Sequence, residues 1–122
     1  MRICIPTTTK EGKTACVHEH FGSAPYFTIC DTEKNTVEVI DNLNQHHSHG
    51  MCHPMSSLAG KKINAVITGG IGARAVQRLN ESGIKVCRAV SGTTESLVKQ
   101  FLEGGLQELT VKNACAQHGH HS

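Results

Sequence analysis

Aromatic side chains and a strong net charge are both scarce in this sequence. The 122 residues include one Tyr, three Phe and no Trp, and the formal net charge is only +2. Proteins that bind single-stranded nucleic acids stack bases on aromatic rings, and duplex binding relies on a basic surface. Both features are nearly missing here, so we expect no nucleic-acid partner.

Long hydrophobic runs are missing as well. No stretch approaches the roughly 20 apolar residues that span a bilayer, and the first residues, MRICIPTTTKEGK, lack the apolar core of a signal peptide. We therefore expect a cytoplasmic protein with no membrane partner, in which the six cysteines are thiols or metal ligands and not disulfides. The length fits one domain, and we expect a monomer or a weak homo-oligomer.

Three segments with the character of strands come first. They are a short segment around Cys4 that ends at Pro6, followed by Tyr26–Asp31 and Thr36–Asp41. The tetrapeptide TEKN between the last two is a good hairpin turn, in which Asn35 can adopt a positive φ. These segments predict an antiparallel group of three strands.

Helix and strand patterns alternate from residue 55 onward. Residues 64–68 (NAVIT) and 85–90 (KVCRAV) are predicted as strands. Helices are predicted over residues 55–61, 73–82 and 94–103, the last capped by Thr93. The order β-β-β-α-β-α-β-α predicts a mixed sheet with helices on its faces.

The nine histidines all lie in three segments predicted to be irregular, and each segment also contains one cysteine. Imidazoles and exposed thiolates bind soft and borderline metals. The candidate metal ligands are Cys16, His18, His20, His49, Cys52 and His53. Histidine-rich tracts such as the tail also bind metals without specificity. Cysteines inside predicted strands are expected to pack in the core, namely Cys4, Cys30 and Cys87.

Two loops of small residues follow the predicted central strands. Residues 69–74 (GGIGAR) and 91–94 (SGTT) should leave the carboxyl ends of adjacent parallel strands, where such folds usually bind ligands. Backbone N–H groups and a helix N-terminus can face an anion there. The candidate cofactor contacts are His20, Gly69, Gly70, Gly72, Arg74, Ser91 and Gly92. No phosphate-loop or dinucleotide-binding motif accompanies them.

Three segments also resemble one known family. HFGSAPYFTICD (20–31), VITGGIGARAVQRL (66–79) and SGTTESLVKQFLEGGL (91–106) are similar, in this order, to motifs of the dinitrogenase iron-molybdenum cofactor biosynthesis family. The similarity covers residues 1–109, which we take as one domain, followed by a flexible Cys/His-rich tail over 110–122. It implies a fold of the α/β class, a ribonuclease H-like three-layer α/β/α arrangement with a five-stranded mixed sheet.

The resemblance also implies a function related to nitrogen fixation. It indicates a small, non-enzymatic carrier or scaffold that holds an iron-sulfur or molybdenum-containing metal-sulfur cluster, or a cofactor precursor. Donor and acceptor proteins would be its partners. The histidine of the family's HFG motif is His20, and the glycines of its GGIG motif are Gly69, Gly70 and Gly72.

Other functions fit parts of the sequence. The histidines and cysteines would also serve a divalent-metal buffer for zinc, nickel or copper. A two-metal nuclease needs clustered carboxylates, whereas Asp31 and Asp41 are the only aspartates. A thiol redox enzyme would use Cys52 beside His53, but no resolving cysteine is near in sequence.

Overall fold

Six strands form one sheet in the described part of the chain. The computed structural model describes residues 1–21, 23–41 and 62–110. The strands are β1 (Arg2–Thr7), β2 (Tyr26–Asp31), β3 (Thr36–Asp41), β4 (Ala65–Thr68), β5 (Lys85–Arg88) and β6 (Gln107–Leu109). The helices are α1 (Ala73–Glu81) and α2 (Thr94–Leu102), with a 3-10 turn over Gly12–Thr14.

The strand order β3-β2-β1-β4-β5-β6 makes the sheet mixed. β1, β2 and β3 pair antiparallel, as predicted, and β6 pairs antiparallel with β5. β1, β4 and β5 run parallel to one another. Their carboxyl ends therefore lie at one edge of the sheet, where the sequence places its candidate ligands.

The two helices cover opposite faces of the sheet. On one face Val76 and Leu79 of α1 pack with Val66 and Val86, all four fully buried. On the other face Leu97 of α2 packs with alternate strand residues. These are Ile3, Ile5, Ala65, Ile67 and Cys87. Burial of each such aliphatic side chain contributes about 1.5–3 kcal/mol, so the β-α order is fixed by two separate apolar layers.

Turn and cap residues behave as the sequence predicts. Asn35 has φ 54° in the β2–β3 turn, and Gly83 and Gly104, with φ 80° and 77°, follow the ends of α1 and α2. The Thr93 side chain accepts a hydrogen bond from the Ser96 N–H at the start of α2. These local signals position the helices along the chain.

The expected count of five strands is wrong, because β6 adds a sixth. This strand has only three residues, and Leu109 is the only one of them that is buried. So short a segment shows no alternation that distinguishes it from a tail. Pairing with β5, not its own pattern, makes it a strand.

β1 also extends past Pro6, where the sequence predicted its end. Proline lacks an N–H donor, but its carbonyl oxygen is still an acceptor and takes the His18 N–H at 2.8 Å. The strand continues to Thr7, which pairs with Tyr26 of β2. The predicted helix over residues 55–61 lies outside the described residues. Within the described ranges, no helix is long and apolar enough to cross a membrane.

Candidate functional site

Residues 15–21, here called the strap, run across the carboxyl ends of β1, β4 and β5. The His18 N–H donates to Pro6 O at 2.8 Å, the Phe21 N–H to Gly70 O at 2.9 Å, and the Val17 N–H to Gly92 O at 3.0 Å. Pro6 belongs to β1, Gly70 follows β4, and Gly92 follows β5. One short segment therefore connects the end of β1 with the two predicted glycine loops.

Buried and solvent-accessible side chains are interspersed along the strap. Ala15, Val17 and Phe21 are buried, with relative exposures of 0%, 8% and 1%. Cys16 and His20 are exposed, and His18 is half-buried. Buried anchors on both sides hold the backbone, so the thiol and the two imidazoles are presented outward from a fixed support.

Gly69 and Gly70 are glycines because the strap lies directly on them. A Cβ atom on Gly69 would stand 3.1 Å from both Cα and O of Glu19, and one on Gly70 would stand 2.8 Å from Glu19 O. At Gly72 the same atom would meet nothing within 4 Å. Two of the three family glycines thus leave room for the backbone of the strap, while the third faces open space at the start of α1.

The loop after β5 holds the other end of the strap. Gly92 has φ 130°, a value that side chains rarely adopt, and a Cβ there would approach Leu97 Cδ2 to 3.0 Å. Thr94 is fully buried, and both its N–H (2.9 Å) and its hydroxyl (3.1 Å) donate to Ala15 O. Ser91 is exposed beside these contacts. The first turn of α2 therefore secures the beginning of the strap.

His18 and His20 form a local pair. Their ring centroids lie 6.3 Å apart with an interplanar angle of 63°. The His18 Nδ1 atom is 3.1 Å from the His20 backbone nitrogen and 3.0 Å from the His20 carbonyl oxygen. The His18 ring is thus held by the backbone of its neighbour, with Nε2 as its remaining nitrogen.

Side chains of both charges lie near the strap. Arg74 lies exposed in the first turn of α1, whose N-cap residue, Gly72, provides no side-chain cap. Glu19 is exposed between the two histidines. Among the described residues, no three His, Cys, Asp or Glu side chains come together as a metal site. The donors of the strap therefore form no closed metal cage among the described residues.

The predicted strand cysteines are core residues, as expected. Burial raises the pKa of Cys4 far above the ordinary thiol value, with a smaller contribution from Cys30, and it raises the pKa of Cys30 to about 11 although Lys13 opposes the shift. Burial and, to a lesser degree, Glu108 also raise the pKa of Cys87. These three thiols stay protonated near neutral pH, which leaves Cys16 as the exposed thiol among the described residues.

A cavity of about 320 Å³ lies between α2 and the β2–β3 hairpin, where Cys30, Asp31 and Val98 are among its lining residues. None of its lining residues belongs to the strap. Thus the strap is an exposed surface site, separate from this cavity.

Cys16, His18 and His20 lie at the edge of the sheet where the sequence placed them, but the residues that hold them there were not predicted. Phe21 and Thr94 are the main examples, since neither was a candidate and both fix the strap. The alternation of small or apolar residues with donors in ACVHEHF was the available signal. His49, Cys52 and His53 lie outside the described residues, so their place relative to the strap stays a prediction.

Comparisons with known proteins agree with this architecture. A family model described as dinitrogenase iron-molybdenum cofactor matches residues 1–104. An uncharacterized protein of Methanocaldococcus jannaschii is 30% identical over 112 residues, which cover 88% of this chain and 91% of the relative. The match to the family model thus includes the strap and both glycine loops.

Two solved structures are similar along nearly their whole length. One is the NMR structure of a Thermotoga protein described as a candidate NifB protein that belongs to the DUF35 family, with 33% identity, a TM-score of 0.73, and coverage of 89% of this chain and 93% of that one. The other is the apo form of the orange protein from Desulfovibrio gigas, with 27% identity, a TM-score of 0.77, and coverage of 88% and 92%.

Proposed function

The chain belongs to the dinitrogenase iron-molybdenum cofactor family, and on that premise we propose that it carries a metal-sulfur cluster on the strap. The cargo is an iron-sulfur or molybdenum-containing cluster, or a precursor of such a cofactor. The protein takes it from a donor protein and passes it to an acceptor protein in the cytoplasm, where thiols stay reduced. It acts as a carrier and not as an enzyme.

One observation supports this proposal above the others. A strap fixed by hydrogen bonds to Pro6, Gly70 and Gly92 presents an exposed thiol, Cys16, together with the exposed His20 and the half-buried His18. Thiolates are the usual ligands of iron-sulfur clusters, and histidine replaces them in some. The donor types therefore fit a metal-sulfur cargo, and the open arrangement fits a cargo that has to leave again.

The individual roles follow from position. Cys16 and His20 are exposed and would contact the cargo directly, with His18 beside them. The open start of α1 at Gly72 and the guanidinium of Arg74 would face its negative charge. Gly69, Gly70, Ser91 and Gly92 would shape the support beneath it. Cys52, His49 and His53 would add ligands from the segment outside the described residues.

The ribonuclease H-like three-layer arrangement is part of the same proposal. Helices on both faces of the sheet support it, and the proposed cargo would lie at the carboxyl edge of the parallel strands β1, β4 and β5. In such folds this edge is the usual ligand site.

Anaerobic reconstitution with iron, molybdate and sulfide, followed by metal and acid-labile sulfide analysis, tests the proposal. Wild type should become coloured and bind both metal and sulfide. His20→Ala and Cys16→Ser should each lower the affinity by roughly tenfold, the scale of one lost interaction with a charged group. A colourless wild type that binds metal without sulfide would reject the proposal.

Arg74→Ala and Arg78→Ala form a matched pair for the charge contribution. Both arginines are exposed on α1, but Arg74 lies in its first turn and Arg78 in its last. Loss of affinity in the first variant alone locates the anionic cargo at the start of α1. Equal effects would mean that only net charge matters.

A further inference from the structure

The His18 ring has two backbone partners at one nitrogen. Nδ1 lies 3.1 Å from the His20 nitrogen and 3.0 Å from the His20 carbonyl oxygen. A neutral imidazole nitrogen either accepts or donates a hydrogen bond, depending on the tautomer. The same contact can therefore take two forms without displacement of the ring.

The first form uses the tautomer with the proton on Nε2. Nδ1 then accepts from the His20 N–H. The His20 N–H then has an acceptor within the protein at 3.1 Å, and we assign this form to the empty protein. In the second form Nδ1 carries the proton and donates to His20 O, and the lone pair on Nε2 is available.

We infer that His18 binds a metal of the cargo through Nε2, and that ligation switches its Nδ1 from accepting the His20 N–H to donating to the His20 carbonyl oxygen. The inference rests on the proposed function. Nδ1 faces the backbone, so Nε2 is the nitrogen that can reach a ligand. One proton leaves Nε2 for solvent and one arrives at Nδ1, so the charge of the imidazole is unchanged.

The consequence is that the ring is oriented in both states. The carbonyl acts as the outer partner that fixes the tautomer of a metal-bound histidine, and the N–H performs the same task in the empty state. The neighbouring Phe21 N–H donates to Gly70 O at 2.9 Å, a bond that does not involve the His18 ring, so the switch does not require the strap to refold. A site of this kind loads and releases cargo without a large conformational cost.

Nuclear magnetic resonance of the full chain labelled with ¹⁵N-histidine tests this directly, with Zn²⁺ as the probe. His18 should carry its proton on Nε2 without metal and on Nδ1 when Zn²⁺ is bound. The His20 amide should then exchange with solvent about 2- to 12-fold faster, because it loses one hydrogen bond worth about 0.5–1.5 kcal/mol. A proton on Nδ1 in the metal-free chain, or no change in tautomer at saturating Zn²⁺, would overturn the inference.

Two variants separate the roles of the ring nitrogens. His18→Asn retains an oxygen near the position of Nδ1, so slow exchange of the His20 amide should persist while the response of that amide to Zn²⁺ disappears. His18→Gln lacks that acceptor, and the His20 amide should exchange faster even without metal. Equal exchange in both variants would show that Nδ1 does not hold the His20 N–H.

Failure of this inference and failure of the proposed function give different results. If reconstitution with sulfide fails but Zn²⁺ switches the His18 tautomer, the cargo is wrong and the ligand atom is right. If the cluster binds but His18 keeps its tautomer, the carrier role stands and this inference does not.

Discussion

The carbonyl oxygen of Glu19 lies 2.8 Å from the position that a Cβ atom would take on Gly70. Real Cβ atoms do not approach backbone oxygen that closely, so any side chain at Gly70 must displace the strap. The primary role of the two glycines after β4 is therefore to leave room for the strap and so to position the histidines. Any effect of these glycines on a ligand follows from that positioning.

Gly70→Ser should destabilise the protein and displace the strap, whereas Gly72→Ser should not. The first adds a side chain against the Glu19 backbone, at the scale of about 1–3 kcal/mol seen for overpacking. The second places a favoured N-cap residue in open space. Urea denaturation measures both free energies of unfolding. Equal stability of the two variants would show that the strap can move away from Gly70 without a loss in the free energy of unfolding.

Thr94→Val should lower the free energy of unfolding by about 0.5–1.5 kcal/mol, the net value of one buried hydrogen bond. The variant preserves shape but removes the hydroxyl that donates to Ala15 O at 3.1 Å. Thr36→Val, at an exposed position at the start of β3, is the control. Amide exchange of Val17 and His18 should also become faster in the first variant alone. Unchanged exchange there would mean that the Thr94 N–H secures the strap by itself.

Alkylation of Cys30 should be slow at pH 8 and should rise steeply toward pH 11. Burial raises the pKa of this thiol to about 11, so the reactive thiolate is rare below that pH. Lys13 opposes the shift, and Lys13→Met should move the rise to still higher pH. Mass spectrometry of peptides alkylated with iodoacetamide follows each site. A Cys30 rate that levels off near pH 8.5 would contradict this account.

Acid should weaken the fold through Asp31. Its Oδ1 atom accepts hydrogen bonds from the Lys34 and Glu33 N–H groups at 3.1 and 3.0 Å, and the backbone bond from Lys34 is the main cause that lowers its pKa. Because the folded pKa lies below the unfolded value, this stabilisation is complete above about pH 4 and is lost as pH falls through the folded pKa.

Asp31→Asn should therefore show a flatter decline of unfolding free energy between pH 5 and pH 2 than wild type. Glu103→Gln, which removes an exposed carboxylate at the end of α2, controls for the change in net charge. The free energy is measured by urea denaturation at each pH. Parallel curves for wild type and Asp31→Asn would remove Asp31 from the explanation.

Much of this fold could be predicted because its signals are local. Asn35 and Thr93 each fix a turn or cap within a few residues, and Val66 lies in a short apolar run of the kind found in buried central strands. The sequence also predicted that the segment before the HFG motif and the two glycine loops lie at one edge of the sheet, because the carboxyl ends of parallel strands meet at the same edge.

The remaining features depend on contacts that are distant in sequence. β6 is a strand because β5 pairs with it, and Pro6 stays in β1 because His18 supplies a partner for its carbonyl. The packing of Glu19 on Gly70 joins residues that no periodicity connects. The contact of Thr94 with Ala15 is of the same kind. The contacts that hold the strap could therefore not be predicted from local sequence patterns.

Protection of Cys16 on loading tests the central claim most directly. The chain is reconstituted anaerobically with the metal-sulfur cluster, and alkylation of Cys16 and Cys30 is followed by mass spectrometry in the empty and loaded states. Cys16, exposed on the strap, should lose most of its reactivity in the loaded state, while Cys30 should keep its own slow rate. A loaded protein in which Cys16 alkylates as fast as in the empty one would show that the cargo does not sit on the strap.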